Sequence, residues 1–168
     1  LPNSPGRTFY RNSGRTERKG MEMSVVWLPG AGFQFSANYT LAAYRYVNYT
    51  SGANTFDGKR IPGLPEQTGA FELRYTHRKG PFAFFNARYV GLLYADDANN
   101  TGIPAFWLLN VRGGWPFQVG NVLIEPSVGL NNLADTAYFG NVRINAAGAR
   151  YYEPAAGFGW YAGMKLRF

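Results

Sequence analysis

The sequence predicts an all-β protein: an antiparallel transmembrane β-barrel segment of about eight strands, with short periplasmic turns and long extracellular loops. Three observations support this prediction. Apolar and polar side chains alternate along most segments, short and long connections follow one another, and aromatic residues make up 17% of a chain that contains 21 Gly. Because lipid cannot satisfy open backbone groups, strands cross a membrane only when they close into a barrel.

The last segment, between Gly157 and Phe168, shows the alternation most clearly. Successive strand side chains point to opposite faces, so every second residue shares a face. One face is apolar and consists of Phe158, Trp160, Ala162, Met164, Leu166 and Phe168. The other carries Gly159, Tyr161, Gly163, Lys165 and Arg167. A strand of this kind suits a barrel wall with lipid on one side and water on the other.

The same alternation predicts the earlier strands in order. A short first strand is predicted at 7–11, followed by a turn at 12–14 and a charged stretch at 15–19. The predicted full strands are 21–27, 33–44, 69–76, 85–93, 107–115 and 124–131. Pro126 is the one residue of these strands that fits a paired strand poorly, because it has no backbone N–H.

The connections alternate between short and long. Short turns are predicted at 29–32, 77–81 and 116–121, and long loops at 47–65, 94–103 and 132–150. Outer-membrane barrels have short periplasmic turns and longer extracellular loops. We therefore expect the C-terminus in the periplasm and the three long loops outside the cell.

Composition argues against several classes of site. The chain has no Cys, which excludes disulfides and thiolate chemistry. Its single histidine, His77, lies in a basic turn without a Ser/His/Asp constellation, so we expect neither an enzyme nor a bound cofactor. The polar stretch 96–100 lacks the spacing of an EF-hand, and we expect a hydrated turn there rather than a metal site.

The net charge of +7 would indicate a nucleic acid or an anionic lipid as the partner of a soluble domain. In a barrel the same charges line the lumen or flank the membrane, so we expect no nucleic-acid partner. No apolar run approaches the roughly 18 residues that a membrane helix requires. The first residues, 1–7, show no export signal and resemble the middle of a strand or loop, so we expect a fragment of a longer protein.

Five short stretches follow one another in a characteristic order. They are Gly14–Glu22 with its Gly-x-Glu strand start, Arg60–Gln67 with Pro-Gly-x-Pro, Arg88–Asp97, Asn132-Leu133-Ala134-Asp135 with Tyr138, and Tyr151–Phe168. Together they resemble the C-terminal part of the barrel of TonB-dependent outer-membrane receptors. The chain departs from that family at Ala134, where Phe is usual.

This resemblance implies a role in energised uptake of a scarce ligand, foremost a ferric siderophore. Residues 1–168 would be the C-terminal portion of a barrel of about 22 strands, with the plug and earlier strands absent. The implied location is the bacterial outer membrane, which the chain would cross several times. The implied partners are outer-membrane lipid, the barrel-assembly machinery, a ferric chelate or similar small ligand, and, through the absent N-terminal part, the plug domain and the TonB complex.

A self-contained small barrel, acting as a structural anchor or adhesion protein, is the alternative. Small barrels fill their interior with packed side chains. Here much of the polar face consists of Ser, Asn, Gln, Gly and charged residues, which suits a wide hydrated lumen better.

The long loops carry the candidate ligand-binding residues, because recognition concentrates on loops held by a rigid scaffold. These are Tyr46 and Tyr49 at the first loop and Arg143, Tyr151 and Tyr152 in and after the third. Their aromatic and cationic surface would accept an anionic ferric chelate. An outer aromatic girdle is the equally weighted alternative.

Eight charged residues on the polar face are predicted to point into the lumen. They are Glu22, Glu72, Arg74, Arg88, Arg112, Glu125, Lys165 and Arg167. They could contact a ligand or the plug, but an interior lattice of ion pairs is the favoured interpretation, because a lone charge there is unfavourable. Phe168, the terminal residue of an apolar series, is predicted to be a barrel-assembly signal, with a plain interfacial aromatic as the alternative.

Overall fold

A computed structural model describes residues 14–168, and its main sheet contains seven long antiparallel strands, each hydrogen-bonded to the next. They are β1 (Gly14–Gly30), β2 (Phe33–Ser51), β4 (Gln67–Thr76), β5 (Phe82–Val90), β8 (Phe106–Gly114), β10 (Val122–Asn131) and β13 (Gly159–Arg167). The short strands are β3 (Asn54–Thr55), β6 (Leu93–Tyr94), β7 (Gly102–Ile103), β9 (Phe117–Val119), β11 (Phe139–Val142) and β12 (Tyr152–Pro154). A 3₁₀ turn covers Ala147–Ala149.

The predicted all-β antiparallel sheet is confirmed, with neighbouring strands in chain order. The strand predicted at 7–11 lies outside the described residues. No helical segment in residues 14–168 is long and apolar enough to span a membrane.

The pairing register gives the sheet two chemically different faces. Residues that pair directly across antiparallel strands share a face. One continuous row crosses all seven long strands and is entirely apolar: Trp27, Phe35, Leu73, Phe85, Val111, Leu130 and Trp160. A row on the opposite face runs through Gln34, Arg74, Phe84, Arg112, Gly129 and Tyr161. The pairing therefore places the apolar side chains of neighbouring strands on the same face, as the alternation within each strand requires.

The apolar face has no protein layer over it in residues 14–168. Trp160, Met164 and Trp27 are 70%, 67% and 59% exposed, and none of the large side chains that the structure describes is fully buried. Exposed apolar area is unfavourable in water by roughly 25 cal/mol per Å². Large exposed apolar surfaces of this kind are typical of faces that contact another protein or a membrane.

Lateral aromatic pairs stabilise this face. Trp27 stacks on Phe35 with ring centroids 5.1 Å apart, and Tyr89 packs on Trp107 at 4.9 Å. Trp27 lies near the turn end of β1, whereas Trp160, in the same row, is the second residue of β13 at the loop end. The row therefore runs obliquely to the strand ends, as it does when barrel strands tilt.

The β1–β2 turn is tighter than predicted. Pro29 and Gly30 still belong to β1, and Ala31 and Gly32 alone make the turn, with φ of 51° and 84°. Two residues with positive φ are typical of the hairpin turns that match the twist of the strands. A Cβ on Gly32 would collide with the carbonyl oxygen of Thr76, whose N–H donates to the Gly32 carbonyl at 2.8 Å.

The turn predicted at 116–121 is wrong in extent. Residues 117–119 form β9, which pairs with β10, and only Gly120 and Asn121 make the turn. β8 and β9 act as one strand interrupted at 115–116, and Pro126 of β10 lies opposite this break. The Trp115 N–H donates to the Pro126 carbonyl at 3.2 Å. A missing N–H is tolerated better beside an interrupted strand than within a continuous ladder.

Several further boundaries differ from the predictions, among them those of β5, which covers Phe82–Val90 rather than 85–93. Gly14, predicted in a turn, begins β1, and the charged stretch 15–19 belongs to that strand. β2 continues to Ser51, into the predicted first loop. The two strands extend together because solvated pairs such as Glu17 opposite Arg45 continue the ladder beyond the apolar band.

The third loop is longer than predicted and ends at Phe158. The segment after Arg150 does not start the closing strand, because β12 pairs with β11. The Phe158 N–H donates to Asp135 Oδ1 at 2.7 Å, which holds this residue outside β13.

We predict that Gly32→Ala lowers the free energy of unfolding by more than about 2 kcal/mol, through left-handed strain and a collision with a backbone carbonyl. Gly120→Ala is the matched control: its φ is 57° but the space around it is open. Gly120→Ala should lower the free energy of unfolding by only about 1 kcal/mol. Urea unfolding in detergent micelles measures both, and equal losses would contradict the proposed contact with Thr76.

Candidate ligand-binding loops

Three long connections lie at one end of the sheet: the first loop (52–66), the second loop (91–105) and the third loop (132–158). They pack on one another rather than extending separately. Ala95 and Ile103 of the second loop are 0% and 2% exposed, the lowest values among the apolar residues described. The loops therefore form a small core of their own at one end of the sheet.

Asp97 of the second loop is the centre of this packing. It is 8% exposed, and Oδ1 accepts a hydrogen bond from the Tyr46 hydroxyl at 2.7 Å. Oδ2 accepts from Asn145 Nδ2 at 2.9 Å and from the Tyr49 hydroxyl at 3.4 Å. The Asp97 N–H in turn donates to Asn145 Oδ1 at 3.0 Å. One buried carboxylate thus ties the end of β2, the second loop and the third loop together.

A second set of contacts joins the first and second loops. Asn99 Oδ1 accepts from the Arg60 N–H at 2.7 Å, and its Nδ2 donates to the Arg60 carbonyl at 2.9 Å. The Arg60 guanidinium pairs with Glu66 at 2.8 Å, and Arg45 pairs with the same carboxylate at 3.2 Å. The two arginines share one carboxylate beside the loops.

The base of the third loop is closed by Asn132 and Asp135. Asn132 is 4% exposed, accepts from the Thr136 N–H at 2.9 Å and donates to the Thr136 carbonyl at 2.9 Å. Asp135 accepts from the Phe158 N–H, at the other end of the loop. The Asn-Leu-x-Asp stretch noted in the sequence therefore has a structural role: it fixes where the closing strand begins.

The five predicted ligand-binding residues fall into two groups. Tyr46 and Tyr49 stack with ring centroids 4.4 Å apart above Asp97. Arg143, Tyr151 and Tyr152 lie on the β11–β12 hairpin. Arg143 Nε donates to Glu153 at 2.9 Å, while Tyr152 stacks on Phe139 at 4.4 Å and meets Tyr151 edge-on. The Arg143 cation is therefore already paired with a carboxylate. Whether either group binds a ligand stays a prediction.

Residues beyond Arg143 connect the two groups. The Asn145 N–H donates to the Ala95 carbonyl at 2.9 Å, and Ile144 lies over Gly63 of the first loop. Sequence reasoning missed the roles of Asn145 and Asp97. Asn145 has a positive φ, as have Asn99, Asn132 and Asp135, and Asx residues in loops are the signal that could have found it.

An open cleft of about 880 Å³ lies between the first and second loops. Tyr49 and Phe56 contribute aromatic rings with centroids 5.6 Å apart. The remaining lining residues are mostly polar: Ser51, Ala53, Asn54, Thr55, Lys59, Asp96, Asp97, Ala98, Asn100 and Asn145. The arrangement can bind a small hydrophilic molecule with some aromatic contact.

Asp96 and Tyr46 have shifted pKa values. Partial burial opposes ionisation of Asp96, but hydrogen bonds from the Asn100 and Thr101 amides outweigh it and lower the pKa of Asp96. Burial, followed by the hydrogen bond to Asp97, raises the pKa of Tyr46. At neutral pH Asp96 is therefore ionised and Tyr46 is a protonated donor. The carboxylates of Asp96 and Asp97 accept hydrogen bonds from different partners.

The register places all eight predicted lumen residues on the polar face of the sheet. Arg74 pairs with Glu72 at 3.2 Å and lies over the Phe84 ring at 4.9 Å, while Arg167 approaches Glu125 to 4.0 Å. The others have no ion pair among residues 14–168, so the lattice is partial in the described part of the chain. Phe168 lies just after β13 and is 96% exposed.

The sequence pattern of the family described as "TonB dependent receptor-like, beta-barrel" matches residues 1–133. The chain belongs to this family. TonB-dependent receptor barrels are receptors rather than enzymes.

The ferrioxamine receptor of Yersinia enterocolitica is 26% identical over 136 residues, which are 78% of this chain and 18% of that protein. The ferric preacinetobactin receptor of Acinetobacter baumannii superposes with a TM-score of 0.73 at 16% identity, covering 90% of this chain and 22% of that one. The ferric yersiniabactin uptake receptor of Yersinia pestis gives 0.71 at 19% identity, with coverage of 92% and 24%. The TonB-dependent receptor segment thus spans about a fifth of the length of these relatives.

We predict that Tyr46→Phe loosens the loop cluster, because it leaves a buried carboxylate oxygen without its donor, a loss of about 1–3 kcal/mol. Hydrogen exchange at the Asp97 and Asn145 amides should accelerate. Tyr49→Phe is the matched control, since its hydroxyl lies 3.4 Å from the carboxylate and contributes less. Equal exchange rates in the two variants would show that Tyr46 does not hold the loops.

Proposed function

We propose that this chain is the C-terminal portion of the barrel of an outer-membrane receptor that takes up a ferric siderophore in an energised step. The observation that carries the proposal is the seven-strand sheet with one apolar and one polar face, capped at one end by packed loops. Membership of the TonB-dependent receptor family supports it. Its relatives include a ferrioxamine receptor, a ferric preacinetobactin receptor and a ferric yersiniabactin uptake receptor, which supports iron-chelate uptake.

The orientation of the barrel across the membrane follows from the lengths of its connections. The turns at 31–32 and 120–121 are short, whereas the three packed loops lie at the opposite end. In outer-membrane barrels the short turns face the periplasm. We propose that the loop cluster faces the cell exterior, where it meets the ligand, and that the barrel crosses the outer membrane with its apolar face against lipid.

The polar face would line a hydrated lumen next to a plug domain supplied by the rest of the receptor. Arg88, Arg112 and Lys165 have no carboxylate partner within residues 14–168, so they are available to such a neighbour. Contact with the TonB complex would lie in that other part of the protein. Phe168, exposed after the closing strand, remains our candidate for recognition by the barrel-assembly machinery.

The self-contained small barrel is not favoured. β1 and β13, the two ends of the sheet, are not paired with each other in the described part of the chain. The matched relatives are also several times longer than this chain.

The intact receptor, expressed in cells that lack their own siderophore receptors, tests the proposal through uptake of ⁵⁵Fe-labelled ferric chelates. We expect one hydrophilic ferric chelate to accumulate only when the proton-motive force is intact. The same cells without TonB are the control and should bind the chelate without accumulating it. Failure to bind any ferric chelate, or accumulation that a protonophore does not reduce, would contradict the proposed function.

A further inference from the structure

The cleft between the first and second loops has an unbalanced charge. Its walls carry the carboxylates of Asp96 and Asp97 and one cation, the ammonium group of Lys59. Neither carboxylate forms an ion pair among residues 14–168. The lining therefore has an excess of one negative charge.

The hydrogen bonds to these carboxylates do not remove their charge. Asp96 accepts from two backbone amides, and Asp97 accepts from two tyrosine hydroxyls and the Asn145 amide, all of them neutral donors. Neutral donors favour the ionised form of a carboxylate without compensating it. Arg45 and Arg60 share the single carboxylate of Glu66, which leaves one positive charge over at that pair, but neither arginine is part of the cleft lining.

The size and surface of the cleft fit a small hydrophilic ligand. Its volume of about 880 Å³ is within the usual range for small-molecule sites. The Tyr49 and Phe56 rings offer aromatic faces that attract an organic cation. The side chains of Asn54 and Asn100 line the cleft and offer amide donors and acceptors.

We infer that this cleft contacts the ligand of the proposed receptor and selects neutral or cationic hydrophilic ferric chelates over anionic ones. The inference rests on the proposed function and adds the charge class of the ligand. It also differs from the expectation that the loop aromatics and Arg143 form an anion-accepting surface, because Arg143 is paired with Glu153 and lies outside the cleft lining. A chelate with several negative charges would meet uncompensated carboxylates, whereas an ammonium group would be attracted by the carboxylates and the rings.

The affinity of the intact receptor for three ferric chelates tests the inference. Ferrioxamine B carries a free ammonium group, its N-acetylated derivative is neutral with the same iron-binding groups, and ferric citrate is anionic. We expect ferrioxamine B and its acetylated form to bind at least tenfold more tightly than ferric citrate. Ferrioxamine B should bind at least as tightly as the acetylated form.

Variants that change the charge of the lining test whether the preference among chelates arises in the cleft. The double variant Asn54→Lys/Asn100→Lys changes the lining from an excess of one negative charge to an excess of one positive charge. It should weaken ferrioxamine B binding by about fivefold or more and weaken the acetylated form less, since partly exposed charges interact modestly in water. Asn121→Lys, at the turn on the opposite end of the sheet, is the matched control and should leave both affinities unchanged.

The outcomes separate the inference from the proposed function. Preferential binding of ferric citrate, or a double lysine variant that behaves like the Asn121→Lys control, would overturn the inference while energised uptake of a ferric chelate still stands. Loss of energised uptake for every ferric chelate would contradict the proposed function itself. A preference for ferrioxamine B that the double variant reduces would support both.

Discussion

The cross-strand register is the constraint on which the rest of the structure depends. Direct pairing keeps the apolar side chains of Trp27, Phe85 and Trp160 on one face, although they belong to strands far apart in the sheet. A slip of one residue at any pairing would reverse the faces of every strand beyond it. Arginine side chains would then lie on the apolar face. In a bilayer, each would destabilise the barrel by about 2–4 kcal/mol near the midplane. The tight turns matter because they fix this register.

The loops are stabilised by different interactions from those of the sheet. The sheet is stabilised by backbone hydrogen bonds and by lateral contacts between apolar side chains, whereas the loops depend on a few buried polar groups. Asp97 connects segments from three parts of the chain, and Asn132 closes the longest loop at its base. Buried carboxylates and amides are costly unless their partners are all present, so such a network favours one loop arrangement over others.

This division explains what the sequence could predict. Alternation with a period of two residues is local, so the faces of β4, β5, β8 and β13 were predicted correctly from the sequence. The end of β2 could not be found in this way, because polar pairs continue its ladder with β1 beyond the apolar band. The break at Trp115 was also missed: only its position opposite Pro126 explains it, and that depends on the register of a neighbouring strand.

The candidate site depends even more on contacts between distant segments, which the local sequence does not reveal. The sequence predicts Tyr46 and Tyr49 as ligand-binding residues or as part of an aromatic girdle, and it does not show that their hydroxyl groups bind a carboxylate about fifty residues further along the chain. No local pattern encodes a contact of that separation. The Asx residues with positive φ, such as Asn145, were visible only as loop-forming residues, although they hold the loops together.

Accessibility measurements on the intact receptor in lipid bilayers test the two-faced sheet most directly. The chain has no Cys, so a spin label attached to one introduced cysteine at a time between Phe106 and Gly114 reports a single position of this segment. Collisions with dissolved oxygen should be frequent at Leu109 and Val111 and rare at Asn110 and Arg112, with the inverse order for a water-soluble nickel reagent. A profile without this two-residue alternation, or with the phase of the two faces exchanged, would contradict the account.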